Sequence, residues 1–170
     1  MPADPLHAPD LAAITAAFLT ARAEFVVIGG FAVIANRHIR TTRDVDLLIP
    51  DDPENDEACL EALRALAATR DRDAAPVTRE MLVGSAHLRV NTQSGIVDLV
   101  REGVAPLDYA TVARIALHAD LGAGSFQVAS LSSVVGFKRL AGRPQDRADL
   151  AELEAIHGTL PIDPIPGLDS

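Results

Sequence analysis

The sequence predicts a mixed α/β (α+β) fold in which helices flank a mixed, partly antiparallel β-sheet. Segments with helical spacing of apolar residues alternate with short apolar runs that are typical of buried strands. Two hairpin-like connections, at 93–95 and 122–124, interrupt this alternation in the middle of the chain. Because a hairpin joins antiparallel strands, these connections argue against a purely parallel, doubly wound sheet.

The first half of the chain predicts three helices and two strands. The apolar run 25–28 ends at Gly29-Gly30, which is typical of a buried strand before a tight turn. Asp52-Pro53-Glu54 supplies a capping side chain, a proline at the first helical position and an early acid. The predicted elements are a helix capped by Asp10, a strand at 25–28, a helix at 31–36, a strand at 44–49 and a helix from Pro53 to about Thr69.

The second half of the chain predicts the hairpins and two closing helices. Its charged first segment, 70–79, breaks the apolar pattern and is expected to be a loop. Gly158 is expected to stop the last helix. The predicted elements are strands at 82–92, with an interruption at Gly84, and at 96–100, a helical turn within 107–114, strands at 115–120 and 125–129, and helices at 131–140 and 144–157.

Length and composition predict one domain with its own core. The chain has 170 residues, of which 48% are hydrophobic, and no internal repeat divides it. We expect a single domain over 1–170, with a core at about 11–158, a flexible arm at 1–9 and a proline-rich tail at 159–170.

The composition also excludes several classes of protein. A formal net charge of -9 argues against non-specific binding to nucleic-acid backbones, although it leaves room for a local basic groove. Cys59 is the single cysteine, which excludes a disulfide framework and a cysteine-based zinc site. No apolar stretch approaches the roughly 20 residues of a membrane helix, and no signal-peptide pattern opens the chain. We therefore expect a cytoplasmic protein with no membrane partner.

Three carboxylates on two predicted strands are the first candidates for chemistry. Asp44 and Asp46 open a strand two residues apart, so their side chains share one face of the sheet. Asp98 lies inside an apolar strand, where a lone carboxylate needs a partner. The structural alternatives are a solvated strand entrance for the pair and a salt bridge for Asp98, for example with Arg89. The functional alternative is Mg²⁺, which prefers carboxylate oxygens together with substrate phosphates.

A glycine pair and a basic stretch lie next to these acids in the sequence. Gly29-Gly30 would let the backbone approach an anion, although most such turns are simply turns. The densest basic stretch is Arg37-His38-Ile39-Arg40-Thr41-Thr42-Arg43. It is either a solvated loop whose arginines balance nearby acids or a set of donors for phosphate or the 3′ end of a nucleic acid.

The order of these motifs resembles the nucleotidyltransferase fold of the polymerase-beta type. The resemblance rests on a strand, Gly29-Gly30 and a helix, then Arg40-Thr41-Thr42-Arg43-Asp44-Val45-Asp46, and then Asp98 on a later strand. A helix that carries Lys138, followed by an Arg-x-x-Asp-x-x-Asp-Leu helix start at 143–150, agrees with it. The resemblance spans roughly residues 25–155 and is closest to minimal bacterial members, including the AbiEii-like toxins of toxin–antitoxin pairs.

The resemblance implies an active site. Asp44 and Asp46 would bind two Mg²⁺ ions, and Asp98 would complete the second metal site and help to deprotonate the acceptor hydroxyl. Gly29 and Gly30 would cradle the phosphates of an NTP. The other nucleotide-binding residues that the resemblance implies are Lys138, which would neutralise the triphosphate from its helix, and Arg40, Thr42 and Arg43.

The resemblance also implies an activity, the Mg²⁺-dependent transfer of a nucleoside monophosphate from an NTP to a hydroxyl acceptor. In the toxin-like branch the acceptor would be a tRNA 3′ end or a protein side chain, and an antitoxin would be a partner. In so short a chain the substrate surface would be either small or shared between subunits, as in a homodimer. Two alternatives stay open: a small-molecule, antibiotic-modifying enzyme, and a catalytically silent module that uses the fold to bind a partner.

Each alternative predicts a different site. A macromolecular acceptor predicts a positive groove around Arg37, Arg40 and Arg43, whereas a small-molecule acceptor predicts a closed pocket beside Asp98. A silent module predicts that an acid is held in an internal salt bridge.

Two details of the motifs carry further expectations. Many family members have serine at the position of Gly30, and that hydroxyl can bond a phosphate oxygen; the AbiEii-like branch also has Gly-Gly. The cluster from Arg143 to Asp149 is expected to be structural, with an Arg–Asp pair and Pro144 at the helix start.

Overall fold

The computed structural model describes residues 8–101 and 103–169, and this part of the chain forms one mixed sheet with helices around it. The helices are α1 Leu11–Thr20, α2 Gly29–Ala35, α3 Pro53–Ala65, α4 Arg79–Val83, α5 Tyr109–Arg114, α6 Leu131–Ala141 and α7 Pro144–His157. The strands are β1 Val26–Ile28, β2 Asp44–Leu48, β3 Thr69–Arg70, β4 His87–Thr92, β5 Gly95–Val100, β6 Leu117–Asp120 and β7 Ser125–Val128.

The seven strands lie in the order β3-β4-β5-β2-β1-β7-β6. The pairs β2–β5 and β1–β7 are parallel, and the other four pairs are antiparallel. This arrangement confirms the predicted mixed, partly antiparallel sheet. Both predicted hairpins are present, because β4 pairs with β5 and β6 pairs with β7 in antiparallel register.

The register of the central strands brings three charged residues and the end of β1 into one row. Arg89 on β4 lies opposite Asp98 on β5, Asp98 lies opposite Asp46 on β2, and Asp46 lies opposite Ile28 on β1. Residues directly opposite each other on neighbouring strands project to the same face of a sheet. The row therefore collects Arg89, Asp98 and Asp46 on one face, beside the glycine pair that follows Ile28.

The core is built from aliphatic side chains on the central strands and from the helices that pack on them. Val27, Leu47 and Leu99 are buried on β1, β2 and β5, and α1 packs against α3 through residues that include Phe18 and Leu63. Burial of aliphatic surface of this kind contributes about 25 cal/mol per Å² and fixes the strands that carry the charged row.

Several element boundaries differ from the sequence predictions, three of them for reasons that the structure shows. Helix α2 begins at Gly29 rather than at Phe31, so both glycines belong to its first turn. Leu82 lies in α4 rather than in the predicted strand 82–92, because Thr78 caps that helix by accepting a hydrogen bond from the Met81 N–H. Helix α3 ends near Leu66 rather than Thr69, since Ala67 adopts a positive φ that a helix cannot continue through.

The segment predicted to be a loop, 70–79, also contains regular structure at both ends. Arg70 pairs with Val90 as part of β3, and Arg79 begins α4. A strand of two residues and a helix of five are too short to show a periodic pattern in the sequence.

The two chain ends are described to different extents. Of the predicted flexible arm, residues 1–7 lie outside the described residues. In the proline-rich tail, Ile165 is buried and Asp169 forms an ion pair with Arg139 of α6. Within the described part of the chain, no helix combines the length and the apolar character needed to cross a membrane.

Candidate active site

Asp44, Asp46 and Asp98 form a cluster at the centre of the sheet. One carboxylate oxygen from each lies within 4.8 Å of the others. The period of two along β2 places Asp44 and Asp46 on the same face, and the parallel pairing of β2 with β5 places Asp98 next to Asp46. The structure therefore brings together the three acids that the sequence singles out.

The electrostatics of the cluster show an excess of negative charge at Asp46. Burial is the main cause that raises the pKa of Asp46 to about 7, and the neighbouring charges of Asp44 and Asp98 raise it further. The Asp46 side chain makes no ion pair with any residue that the structure describes. An all-oxygen site with surplus negative charge has the donor chemistry that suits Mg²⁺.

The Arg89 guanidinium and the His87 imidazole, both on β4, contact the Asp98 carboxylate. Arg89 donates from Nε to Oδ1 of Asp98 at 2.9 Å and from an Nη atom to Oδ2 at 2.7 Å, and it reaches Oδ2 of Asp44 at 2.7 Å. Nε2 of His87 lies 2.9 Å from Oδ1 of Asp98. The salt bridge between Asp98 and Arg89, which the sequence left as an alternative, is present.

The exposure of these two groups differs sharply from that of the acid they contact. The Asp98 side chain is 1% exposed, whereas Arg89 is 43% exposed and His87 is 59% exposed. Both side chains therefore reach a buried carboxylate from the solvent side.

The glycine pair is required by close packing against the site. A Cβ atom at Gly29 would lie 2.0 Å from Oδ2 of Asp46, and the φ of Gly29 is +66°. A Cβ atom at Gly30 would lie 2.5 Å from Oγ1 of Thr42. The glycines therefore leave space that the Asp46 and Thr42 side chains fill.

Lys138 points into a buried ion-pair network rather than to solvent. Its Nζ donates to Oδ1 of Asp146 at 2.8 Å and lies 3.0 Å from Oδ2 of Asp149. Arg143 also pairs with Asp146 and closes a capping box at the start of α7. The Arg–Asp pair and the proline that were expected at this helix start are both present.

The same network holds part of the basic stretch. Nε of Arg40 lies 3.0 Å from Oδ1 of Asp149, and Nε2 of His38 lies 3.6 Å from the same oxygen. Arg37 and Arg43 remain exposed. The positive groove that would serve a macromolecular acceptor is thus reduced, since one of its three arginines is paired with a buried acid.

All nine residues that the sequence singled out line one cleft of about 500 Å³. They are Gly29, Gly30, Arg40, Thr42, Arg43, Asp44, Asp46, Asp98 and Lys138. The cleft is also lined by Thr41, His87, Arg89, Arg143 and Gln145.

His87 is the cleft residue that sequence reasoning missed as a partner of Asp98. Its strand alternates polar and apolar residues, with His87, Arg89 and Asn91 on the less buried side. That alternation predicts a shared face for His87 and Arg89. Only the pairing of β4 with β5 shows that this face meets Asp98.

Comparison with known proteins identifies the fold. No protein-family model and no curated protein matches this chain. Among solved structures, the solution structure of the antibiotic-resistance factor ANT(2'')-Ia is similar at a TM-score of 0.57 and 12% identity, over 86% of this chain and 81% of that one. A crystal structure of ANT(2'')-Ia in complex with adenylyl-2''-tobramycin gives 0.54 and 12%, over 84% of each chain.

A third solved structure is similar to a comparable degree. It is an antigenic nucleotidyltransferase-like protein from Paracoccidioides brasiliensis, with a TM-score of 0.55 and 14% identity, over 88% of this chain and 77% of that one. The chain therefore has a nucleotidyltransferase fold, as the resemblance of its motifs implied. At such low identity the likeness establishes the fold, and the activity has to be argued from the site.

Proposed function

We propose that this protein is a Mg²⁺-dependent nucleotidyltransferase that transfers a nucleoside monophosphate from an NTP to a hydroxyl acceptor. The observation that carries the proposal is the cluster of Asp44, Asp46 and Asp98 in a polar cleft, within a nucleotidyltransferase fold. We further propose that residues 1–170 form one domain and that it acts in the cytoplasm.

The residues present fit a divalent cation. Asp44, Asp46 and Asp98 would hold two Mg²⁺ ions, which would neutralise the triphosphate and strengthen the α-phosphorus as an electrophile. The raised pKa of Asp46, at about 7, supports this fit, because an added cation would relieve the repulsion that raises it.

The backbone and the cations of the cleft would bind and orient the triphosphate. Gly29 and Gly30 line the cleft in the first turn of α2, where they would contact the triphosphate through their backbone. Arg43, which is exposed and forms no ion pair in the described part of the chain, is free to pair with a phosphate. Lys138 contributes less charge than the resemblance implies, since Asp146 and Asp149 already balance it.

In the transfer step, the acceptor hydroxyl oxygen attacks the α-phosphorus. A new bond forms between that oxygen and phosphorus, while the bond from phosphorus to the oxygen that bridges the α- and β-phosphates breaks. Pyrophosphate leaves with the bridging oxygen. The hydroxyl proton passes to the Asp98 carboxylate and from there to solvent, which requires Arg89 to release at least one Asp98 oxygen.

The test is pyrophosphate release and label transfer from each α-labelled NTP with Mg²⁺, with and without total tRNA. We expect Asp44→Ala and Asp98→Ala to abolish both signals. Asp163→Ala, which replaces an exposed aspartate outside the cleft, is the matched control and should retain them. Equal pyrophosphate release by the wild type and both cleft variants would refute the proposal.

A second candidate, a catalytically silent module that binds a partner, is favoured by the double contact of Arg89 with Asp98. It predicts that Mg²⁺ and NTP do not bind the wild type. Calorimetric titration with Mg²⁺ and a non-hydrolysable NTP analogue separates the two candidates, since only the enzyme should bind both.

The resemblance to AbiEii-like proteins adds a finer proposal, a toxin with a cognate antitoxin. In that role a tRNA 3′ end or a protein side chain would accept the nucleotide, and a homodimer could complete the acceptor surface. The tRNA arm of the same assay tests this role, because labelled RNA appears only if RNA is the acceptor.

A further inference from the structure

A second cleft, of about 300 Å³, lies against the outer side of β4. It is bounded by the β3 region and by the connection from α4 to β4. Its polar lining consists of Arg70, Asp71, Arg72, Ser85, His87 and Arg89. We call it the β3–β4 cleft.

The β3–β4 cleft has an excess of groups that can donate to an anion. Three guanidinium groups and one imidazole face a single carboxylate, Asp71, which already accepts a hydrogen bond from Nδ2 of Asn91 at 2.8 Å. Arg70 is paired with Asp73. Arg72 is exposed and, beyond a Coulombic interaction with Asp73, makes no hydrogen bond or ion pair with any residue in the described ranges. The cleft therefore offers at least one unpaired guanidinium together with the Ser85 hydroxyl.

Two side chains connect this cleft with the carboxylate cluster. His87 and Arg89 line both clefts, and both contact Oδ1 of Asp98. These two side chains therefore lie between the β3–β4 cleft and Asp98, and about half of each is exposed. If Arg89 turned toward an anion in that cleft, it would release Asp98 and Asp44 together.

We propose that the β3–β4 cleft binds the acceptor, and that the acceptor carries a phosphate group near the hydroxyl that reacts. This inference rests on the proposed nucleotidyl transfer. Arg72 and Arg89 bind the phosphate as charge-assisted donors, and the hydroxyl is presented to Asp98. The acceptor's own charge thus frees the Asp98 oxygen that takes up the hydroxyl proton, whereas Asp46, which makes no ion pair in the described ranges, is open to Mg²⁺ before the acceptor binds.

The charge of the cleft separates this acceptor class from a cationic one. An amine-rich sugar placed there would meet the Arg72 guanidinium at short range, while Arg70 and Arg89 are already balanced by their own acid partners, and like charges disfavour binding. The chemistry selected is a sugar hydroxyl next to a phosphate. A free sugar phosphate and the 3′-terminal nucleotide of an RNA both present it.

Binding of simple probes to the full chain tests the site directly. Ribose 5-phosphate, ribose and tobramycin are titrated into the wild type, Arg72→Ala, Arg72→Lys and Arg64→Ala. Arg64 is the matched control, because it is an exposed arginine on α3 that lines neither cleft. We expect ribose 5-phosphate to bind the wild type more tightly than ribose does, with a loss of roughly 5- to 20-fold in Arg72→Ala. Arg64→Ala should match the wild type, and Arg72→Lys should lose less than Arg72→Ala.

The source of the phosphate is distinguished by competition with two short RNAs, one with a free 3′ hydroxyl and one with a 3′ phosphate. Displacement of ribose 5-phosphate by the first RNA alone assigns the site to an RNA end, and displacement by neither assigns it to a free sugar phosphate. The proposal is overturned if ribose binds as tightly as ribose 5-phosphate, if both RNAs displace the probe equally, if Arg72→Ala binds like the wild type, or if tobramycin is preferred.

Failure of this inference is separable from failure of the proposed function. Binding of Mg²⁺ and an NTP analogue to the wild type is measured in the absence of any acceptor. If the analogue binds and ribose 5-phosphate does not, the proposed acceptor site is refuted, whereas the proposed nucleotidyl transfer is not. If the analogue does not bind, the proposed function itself fails.

Discussion

A side-chain carbon added to Gly30 would lie 2.5 Å from Oγ1 of Thr42 and 2.8 Å from its Cβ. Thr42 in turn donates from this hydroxyl to the backbone carbonyl of Asp44 at 3.1 Å. The space that a serine side chain would need at position 30 is therefore taken by a neighbouring hydroxyl. This packing gives a structural reason for glycine where many nucleotidyltransferases have serine.

The first prediction is that serine at position 30 conflicts with Thr42. Gly30→Ser should be destabilised by about 1 to 3 kcal/mol, the usual cost of overpacking. Gly30→Ser combined with Thr42→Gly should be less destabilised than the sum of the two single variants, because removal of the threonine side chain opens the space. A double-mutant cycle from urea unfolding measures the coupling. Strict additivity would mean that the two positions do not compete for space.

The second prediction concerns the repulsion within the carboxylate cluster. In the chelator-treated protein, Asp46→Asn should raise the free energy of unfolding at pH 7 by roughly 1 to 3 kcal/mol, since each pKa unit corresponds to about 1.4 kcal/mol and solvent relaxation reduces the full value. Transfer activity should be lost in the same variant. Thermal unfolding without Mg²⁺ measures the gain in stability. The same experiment with Mg²⁺ shows whether the variant has lost the stabilisation that the metal gives the wild type.

The sign of the associated pH dependence follows from the raised pKa of Asp46, about 7 against an ordinary aspartate value of 3.8. Between these two values the folded protein binds more protons than the unfolded chain, so stability should rise as the pH falls from 7 toward 4. Asp46→Asn should lack this contribution. If the free energy of unfolding depended on pH in the same way in both proteins, charge repulsion at Asp46 would not be the cause.

The third prediction separates a structural role of Lys138 from a purely nucleotide-binding one. Lys138→Met leaves two fully buried carboxylates with less compensation, and it should cost about 3 to 5 kcal/mol of stability. Arg139→Met on the same helix is the matched control, because its ion pair with Asp169 is at the surface and should cost about 1 kcal/mol or less. Equal losses in the two variants would favour a lysine that is free to serve the triphosphate.

The fourth prediction is an acid transition of the α6–α7 junction. Burial would raise the pKa of Asp146, but hydrogen bonds from Arg143 and Lys138 outweigh it and lower the pKa to about 2. The stability that Asp146 contributes is therefore fully present above pH 4 and is lost as the pH falls toward 2. Asp146→Asn should be less stable than the wild type at pH 6, and the gap should narrow below pH 3 in unfolding experiments.

The types of the elements around the site follow from local sequence. The apolar run before Gly29 and the cap-and-proline start at Asp52 each determine one segment by short-range sterics and hydrogen bonding. Asp44 and Asp46 share a face because side chains alternate along any strand. The sequence pattern did not determine the element at Leu82. The apolar pair Leu82-Val83 occurs equally at the end of a short helix and at the start of a strand.

The sequence by itself therefore determined the mixed fold, the shared face of Asp44 and Asp46, and the hairpin that sets Arg89 beside Asp98. Only the tertiary structure decided that β5 lies beside β2, which puts Asp98 next to Asp46, and that His87 joins Arg89 as a partner of Asp98. It also turned Lys138 toward the acids of α7. Periodicity is a property of one segment, whereas the partner of a charge depends on which distant segments pack together.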